Sequence, residues 1–379
     1  MAVTGTPWVL PRVQVFSDAG APLAGALLYV YTAGTSTPVD TFSDVTLTTA
    51  NANPVVADAG GRFGAIYLTP GVSYKFVLKT SAGATIWTAD NIPALAAGTT
   101  IAQDASICHG RMTLTAGTPV TTADVTAATL VYFTPYTGNQ IALYDATLSS
   151  WLLVTFAETS LSLGSDAASK PYDLFAYSNA GVFALERLVW TSTTARATAL
   201  TLQDGILVKS GQPSRRYLGT YTTTATPGQT EDSKANRLVY SYYNRVIKPL
   251  QLLETTDSWT YSTATYRQAR ATATNQVAVT QGWAEDALSV AVAVGMSPSG
   301  GSLGTVSIGE DSTTTPVSGV LMFRDQTNAH ARLTLTPAVG YHAYVWLEYD
   351  TPAADTMTWY GDNGTATLVQ SGMTGSWSC

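Results

Sequence analysis

Charge is what this 379-residue sequence has least of: Asp, Glu, Lys and Arg together make up 12% of it. Long solvent-facing helices draw on Glu, Lys and Arg, so a helical architecture is excluded. The abundant Thr, Tyr, Val and Trp suit a half-buried pleated surface instead. Low charge also points to surface hidden in an oligomer, and equally to an exposed Thr/Ser surface; composition leaves both open. Cysteine is nearly absent. Cys108 and Cys379 stand far apart, which excludes a disulfide framework and leaves too few thiolates for a clustered metal site. Cys108 and His109 are adjacent but have no third or fourth ligand near them, and they read as unrelated residues at a junction. The formal net charge of −7 and the lack of a basic stripe argue against nucleic-acid binding. No apolar run approaches the roughly 18 residues of a spanning helix, so no membrane insertion is expected. The start, Met1-Ala2-Val3-Thr4-Gly5-Thr6-Pro7, has neither a basic n-region nor an apolar h-region. No secretory signal is expected, and the chain is expected to be made and folded in a cytoplasm.

What is present is short apolar runs broken every eight to twelve residues by Gly, Pro, Asn and Asp, the spacing of an all-β sandwich. The first such stretch runs from Val13 to Ile92 around Gly60-Gly61-Arg62-Phe63-Gly64. It contains Asp18-Ala19-Gly20-Ala21-Pro22-Leu23-Ala24-Gly25, Tyr29-Val30-Tyr31-Thr32-Ala33-Gly34-Thr35, Asn51-Ala52-Asn53-Pro54-Val55-Val56, Tyr74-Lys75-Phe76-Val77-Leu78 and Trp87-Thr88-Ala89-Asp90-Asn91-Ile92. In that order these segments resemble the N-terminal virion-anchoring domain of tail fibres and tailspikes of tailed bacteriophages. The resemblance covers about the first quarter of the chain. It implies a docking domain over residues 1–92 whose characteristic positions are Pro22, Gly25, Tyr29, Gly34, Asn53, Pro54, Gly61, Arg62, Tyr74 and Trp87.

The small residues of 93–109 read as a linker. A middle β module is expected over 110–254, with strands at Trp151–Phe156, Tyr172–Ser178, Val182–Trp190, Gly205–Lys209 and Arg216–Thr223, and a hairpin at Gly138-Asn139. Its segments Thr118–Val125, Tyr132–Tyr136, Thr198–Gly205 and Arg216–Thr220 resemble a module that recurs in phage fibre proteins. Within it, apolar residues at 235, 238, 239, 242, 243 and 246 predict an amphipathic helix over about 231–247, led by Glu231 and Asp232 and stopped by Pro249. That helix would pack on its own sheet or about a three-fold axis; the sequence does not separate these. Residues 255–379 alternate most regularly and predict a C-terminal, jelly-roll-like sandwich. In it, Asp362-Asn363-Gly364 would turn the Thr356–Tyr360 strand into a strand at Thr365–Gln370. The expected whole is tandem β-sandwiches in a homotrimer.

No catalytic constellation, metal site or cofactor motif emerges. The acidic pairs Glu231/Asp232, Glu285/Asp286 and Glu310/Asp311 read as solvated turn or helix-start residues, since neighbours on a strand face opposite ways. The chain lacks the 20–25-residue coil period of a glycan-cleaving β-helix, a Gly-x-Ser-x-Gly elbow before a helix, and a Gly-Lys-Ser/Thr loop. An enzyme is not expected. For a fibre, the resemblance leaves carbohydrate binding by the distal domain as an alternative. Trp359, Tyr360, Asp362 and Asn363 have ring faces and polar groups suited to a glycan. The function expected is that of a structural virion protein: a short tail fibre or tail-associated appendage held by tail, neck or baseplate proteins. The alternatives are a receptor-binding fibre that recognises host surface glycan, and a capsid or neck decoration fibre.

Overall fold

The structure is a computed structural model that describes residues 6–8, 12–94, 100–101, 104–351 and 355–379. It is all-β. Among the described residues the one helical element is a three-residue 3-10 turn at Ala269–Ala271. The chain forms two compact units. The smaller comprises Met1–Ala105, Ala142–Thr155 and Ser178–Phe183; the larger comprises Ser106–Ile141, Phe156–Tyr177 and Ala184–Cys379. Residues 95–99 and 102–103 of the expected linker lie outside the described residues.

In the smaller unit, β1 (Leu27–Thr32), β2 (Val55–Val56), β3 (Ser73–Lys79) and β4 (Thr85–Pro93) make a sheet in the order β2-β1-β3-β4. Alternation explains it: Leu28 and Val30 of β1 and Tyr74, Phe76 and Leu78 of β3 point inward to Phe63, Ile66 and Leu68. Trp8 closes one side by stacking on Phe76 at 4.8 Å between ring centres. Two later segments, Ala142–Thr155 and Ser178–Phe183, join this unit, and in the first of them Ser150–Thr155 pairs with Thr100–Ile101.

The larger unit contains β5 (Val125–Ala128), β6 (Thr230–Asp232), β7 (Asn236–Arg237), β8 (Ile247–Leu253), β9 (Ser258–Thr260) and β10 (Gln276–Gln281). It continues with β11 (Leu288–Pro298), β12 (Gly304–Glu310), β13 (Leu321–Arg324), β14 (Asn328–Leu335), β15 (Gly340–Asp350), β16 (Met357–Tyr360) and β17 (Gly372–Ser378). One sheet runs β8-β17-β11-β14-β13, with β16 also paired to β11 and β9 to β16. A second runs β15-β10-β7-β6-β5, with β12 on β15. The two face each other across one core. β11 supplies Leu288, Val290, Val292, Val294 and Met296, and the opposite sheet supplies Val277, Val279, Ile308, Tyr344 and Trp346. Full burial of each such side chain stabilises the fold by about 1.5–3 kcal/mol. A separate sheet, built on Pro171–Asn179 and Gln212–Thr222, belongs largely to this unit.

Three expectations are corrected here. The boundary at 254/255 does not exist: β8 pairs along its whole length with β17, and β7 pairs in parallel with β10, so both sheets cross it. The helix over 231–247 is three short strands instead, β6, β7 and Val239–Ser241. Ser233 and Asn236 bond each other's backbone in a tight turn, with the Asn236 amide also donating to Ser233 Oγ at 3.1 Å. Such side-chain competition opposes a helix, while Val239, Tyr240 and Tyr242 favour strands. Finally, Gly138-Asn139 joins strands of different sheets: Leu130–Pro135 pairs with Gly110–Thr113, whereas Gln140–Asp145 does not pair with it. Glycine is needed at 138 because the His109 ring lies against it; a β-carbon there would stand 2.6 Å from Nδ1.

Candidate functional site

The ten positions of the N-terminal motif all fall in the smaller unit, and most of them build it. β2 begins just after Pro54, which has no N–H, and the side chain of Asn53 takes over the ladder before it. Its Oδ1 accepts from Val30 N at 3.0 Å and its Nδ2 donates to Val30 O at 2.5 Å. Gly61 has φ +71°, and a β-carbon on it would sit 2.6 Å from Val15 O. The same turn is fastened by Asp58, whose carboxylate accepts from Gly60 N at 2.8 Å and Arg62 N at 3.0 Å. Those amides, Arg62 N first, hold its pKa below the usual carboxylate value. Tyr74 is fully buried, and its hydroxyl accepts from Thr69 N at 2.9 Å. Gly34 turns at φ +71° and donates to Asp90 Oδ1, tying the Tyr31–Thr35 turn to β4. Gly25 turns at φ +68°, Pro22 bridges Phe16, and Tyr29 stacks on Tyr31 with Lys79 Nζ 5.0 Å from its ring. Arg62 and Trp87 are exposed. Trp87 lies on β4, the edge strand, beside exposed Ile86. The motif therefore specifies a scaffold that leaves apolar side chains open at both edges of its sheet, Ile86 and Trp87 on β4 and Val56 on β2.

The second candidate lies on the outer face of the β8-β17-β11-β14-β13 sheet. Because β11 turns its large residues inward, its outer face carries only Ser289, Ala291, Ala293, Gly295 and Ser297. That run of small residues leaves a trough between taller neighbours. Ala293 and Gly295 form the floor of a groove of about 570 Å³, a size common for ligand sites. Asn328 and His330 of β14 make one wall; Tyr360 of β16 and the Asn363–Gln370 loop make the other. Cross-strand register fixes this arrangement: Ala293 stands opposite His330, and Gly295 opposite both Asn328 and Tyr360. The Gly295 amide donates to Ser371 Oγ at 3.1 Å, holding the loop over the strand.

Of the four sequence candidates for glycan binding, Tyr360 and Asn363 line this groove. Trp359 does not: it is fully buried in the sandwich core, with Nε1 donating to Tyr261 O at 3.2 Å. Asp362 fastens the turn, accepting from Gly364 N at 3.2 Å, and is not part of the lining. The turn itself forms with Asn363 at φ +47° and Gly364 at φ +76°, yet residues 365–370 make no strand. Sequence reasoning missed His330, Asn328 and the Ala293/Gly295 floor. The available signal was the alternation over Ala287–Val294, in which every second residue is small.

The groove is lined by no carboxylate, Lys or Arg. It offers one phenol ring, amides, hydroxyls and an imidazole, a set that can stack on and hydrogen-bond to a neutral polyhydroxylated ligand. Several carboxylates elsewhere in the larger unit are held in place by fixed partners. Asp232, expected to be solvated, is buried and accepts from Arg237 Nη1 at 2.9 Å and from Lys248 Nζ. Asp173 accepts from Arg196 Nε at 2.8 Å and Thr220 Oγ1 at 2.7 Å, with burial pushing its pKa up. Glu348 accepts from Trp259 Nε1 and Arg267 Nε, both at 2.7 Å. Glu285 and Asp286 both pair with Arg245, and the Asp311 carboxylate accepts from His342 Nδ1 at 2.8 Å. Among the described residues no group of three or more His, Cys, Asp or Glu is placed to hold a metal ion. Gly300-Gly301-Ser302-Leu303-Gly304 fits the pattern of a nucleophile elbow, but Ser302 is buried and leads into strand β12 rather than a helix. Both thiols, Cys108 and Cys379, are free and buried, and desolvation raises each to about 11.

No protein-family model matches this chain, and no curated protein matches it at a significant level.

Proposed function

We propose that this chain is a structural virion protein of a tailed bacteriophage, a short tail fibre or tail-associated appendage that acts as a homotrimer. In this reading residues 1–92 hold it to a tail, neck or baseplate protein, and it resides in the virion after synthesis in the host cytoplasm. One observation carries the reading. The motif positions that resemble a virion anchor supply the turns, the Asn53 side-chain ladder and the core of one small sandwich, and that sandwich presents an open apolar edge at Ile86 and Trp87. A sheet edge with exposed apolar side chains is suited to docking on another protein. The test is to delete residues 1–92 and quantify the protein in purified particles by immunoblot. Incorporation should be lost; particles that retain the truncated chain at the normal level would sink the anchoring role.

A second reading is favoured by the outer-face groove: attachment to host surface glycan. It calls for a binder without hydrolysis, because the lining holds no carboxylate pair of the kind glycosidases use. The full chain should bind host polysaccharide saturably and release no reducing ends. Ala293→Tyr, which fills the floor from an already exposed position, should abolish that binding while leaving particle incorporation intact. Unchanged binding by the filled groove would remove this reading and leave the structural one. Immunogold labelling on the capsid or neck rather than the tail would move the protein to the decoration-fibre alternative.

A further inference from the structure

The larger unit holds a second pocket, which neither proposed function uses. It lies where the end of the Gln212–Thr222 strand meets β6, β7 and β15, and encloses about 360 Å³. Backbone bonds fix its walls. Thr222 N donates to Leu238 O at 2.9 Å, Leu238 N to Glu231 O at 3.1 Å, and Tyr341 N to Thr193 O at 2.9 Å. Among the described residues Glu231 is the only charged one on the lining. The cations close to it in sequence are engaged elsewhere: Lys234 Nζ donates to Gln251 Oε1 at 3.4 Å, and Arg237 pairs with Asp232 and donates to Pro249 O. Lys170, next in the chain to the lining residue Ser169, donates to Thr191 O at 3.5 Å.

Glu231 and Asn236 are held in place by one shared atom: Glu231 Oε1 accepts from Ser233 Oγ and from Asn236 Nδ2 at 3.3 Å. Among the described residues that leaves Glu231 Oε2 and Asn236 Oδ1 without a donor, and the Tyr341 hydroxyl and Thr193 Oγ1 without a partner. The occupant must therefore bring donors and positive charge. A primary ammonium brings both, with three N–H groups for the carboxylate, the amide oxygen and a hydroxyl. An anion would face Glu231, a neutral ligand would gain nothing from its charge, and a bare metal ion would leave most of the space empty. Leu238 and the Tyr341 ring offer apolar contact to a short carbon frame, and the ring face also attracts a cation. The surroundings are electronegative: burial first, then the charges of Asp311 and Glu231, push the Tyr341 pKa up.

We propose that this pocket binds a primary ammonium carried on a short, hydroxyl-bearing carbon frame. The test is calorimetric titration of the full chain with serinol, a three-carbon diol carrying such an ammonium, against glycerol, which has a hydroxyl in its place. Wild type should bind serinol saturably and glycerol at least about tenfold more weakly, the effect of losing a charge-assisted bond. Glu231→Gln keeps the Oε1 acceptor for Ser233 and Asn236 and should weaken serinol by a similar factor with an unchanged circular dichroism spectrum. Thr193→Trp fills the pocket from an exposed position and should abolish binding, which keeps the site testable should the first variant not fold. Ala293→Tyr, which fills the groove on the other sheet, should leave serinol binding as it is. No saturable binding of serinol overturns the site, and so does wild-type affinity in Thr193→Trp. Equal affinity for glycerol, or wild-type affinity in Glu231→Gln, overturns the ammonium. Binding lost in Ala293→Tyr would place the ligand in the groove and overturn this pocket.

Discussion

Among the described residues the N-terminal sandwich buries no charged side chain, whereas the larger unit encloses Arg111, Arg216, Asp173, Asp232, Arg237, Lys248 and Glu348. The two regions draw on the same charge-poor composition and place their charges differently. In the small sandwich the carboxylates of Asp44, Asp58 and Asp90 stay at the surface and fasten turns by accepting backbone amides. In the larger unit several lie inside, as partners of guanidinium groups that also satisfy backbone carbonyls: Arg237 pairs with Asp232 and donates to Pro249 O, and Arg196 pairs with Asp173 and donates to Gly282 O. A buried ion pair adds little net stability over a well-packed apolar pair, but losing one partner leaves an uncompensated charge. The comparison teaches that the scarce charge in this sequence does not measure its solvated surface. Much of it is internal, so the surface is poorer in charge than the composition states.

The largest effect that could break this comparison is expected at Asp232. Asp232→Ala strands Arg237 and Lys248, which are 5% and 8% exposed, and should destabilise the larger unit by about 3–5 kcal/mol in urea titrations. The apolar triple variant Asp232→Leu/Arg237→Met/Lys248→Met should restore most of that loss. If it does not, the charges are needed for stability rather than for fixing the arrangement. Next is Gly61→Ala in the small sandwich, expected to lose on the order of 2–3 kcal/mol from positive φ and the clash with Val15 O. No change in that unit's unfolding midpoint would mean the turn can relax. Asn53→Ala removes both bonds to Val30 and should lose about 1–2 kcal/mol, measurable as faster amide exchange at Val30.

The smallest effect is a dependence on pH. Hydrogen bonding and charge from Asp311 raise the His342 pKa above the ordinary histidine value despite the opposing effect of burial, and His342 in turn helps to hold Asp311 low. With its folded pKa raised, His342 contributes its full stabilisation below the ordinary value and loses it as pH rises through the folded one. Asp311 contributes above the ordinary Asp value and loses it as pH falls through its depressed one. The stability gap between wild type and His342→Gln should therefore narrow as pH rises above about 6.5, by under about 1 kcal/mol because Asp311 is half-exposed. A gap that widens with pH would refute the pairing.

The strands were legible wherever one face is buried. β11 and β14 coincide with clean alternations because inward and outward positions differ in chemistry. The segment over β15 also reads as an alternation and is a strand, although most positions on both its faces are buried. The segment 231–247 was misread because offsets of three and four also occur in three short strands. What decided its fate, the pairing of Asp232 with Arg237 and Lys248, depends on a strand contact the residues alone do not reveal. The missing boundary at 254 has the same origin: β8 and β17 are more than a hundred residues apart, and local composition carries no mark of their register. At the groove, alternation correctly required Trp359 and Tyr360 to part ways, one inward and one outward. Which loop would lie over Gly295 was not written in any local pattern.

The covered edge at β8 closes one side of the sheet to extension. Pro249 has no N–H to offer, and the Gln251 amide is already spent on Lys234 O, so a further strand finds no continuous row of donors there. Pro249→Val together with Arg237→Met, which also frees Pro249 O, is the change that should open that side, with loss of clarity in concentrated protein as its readout.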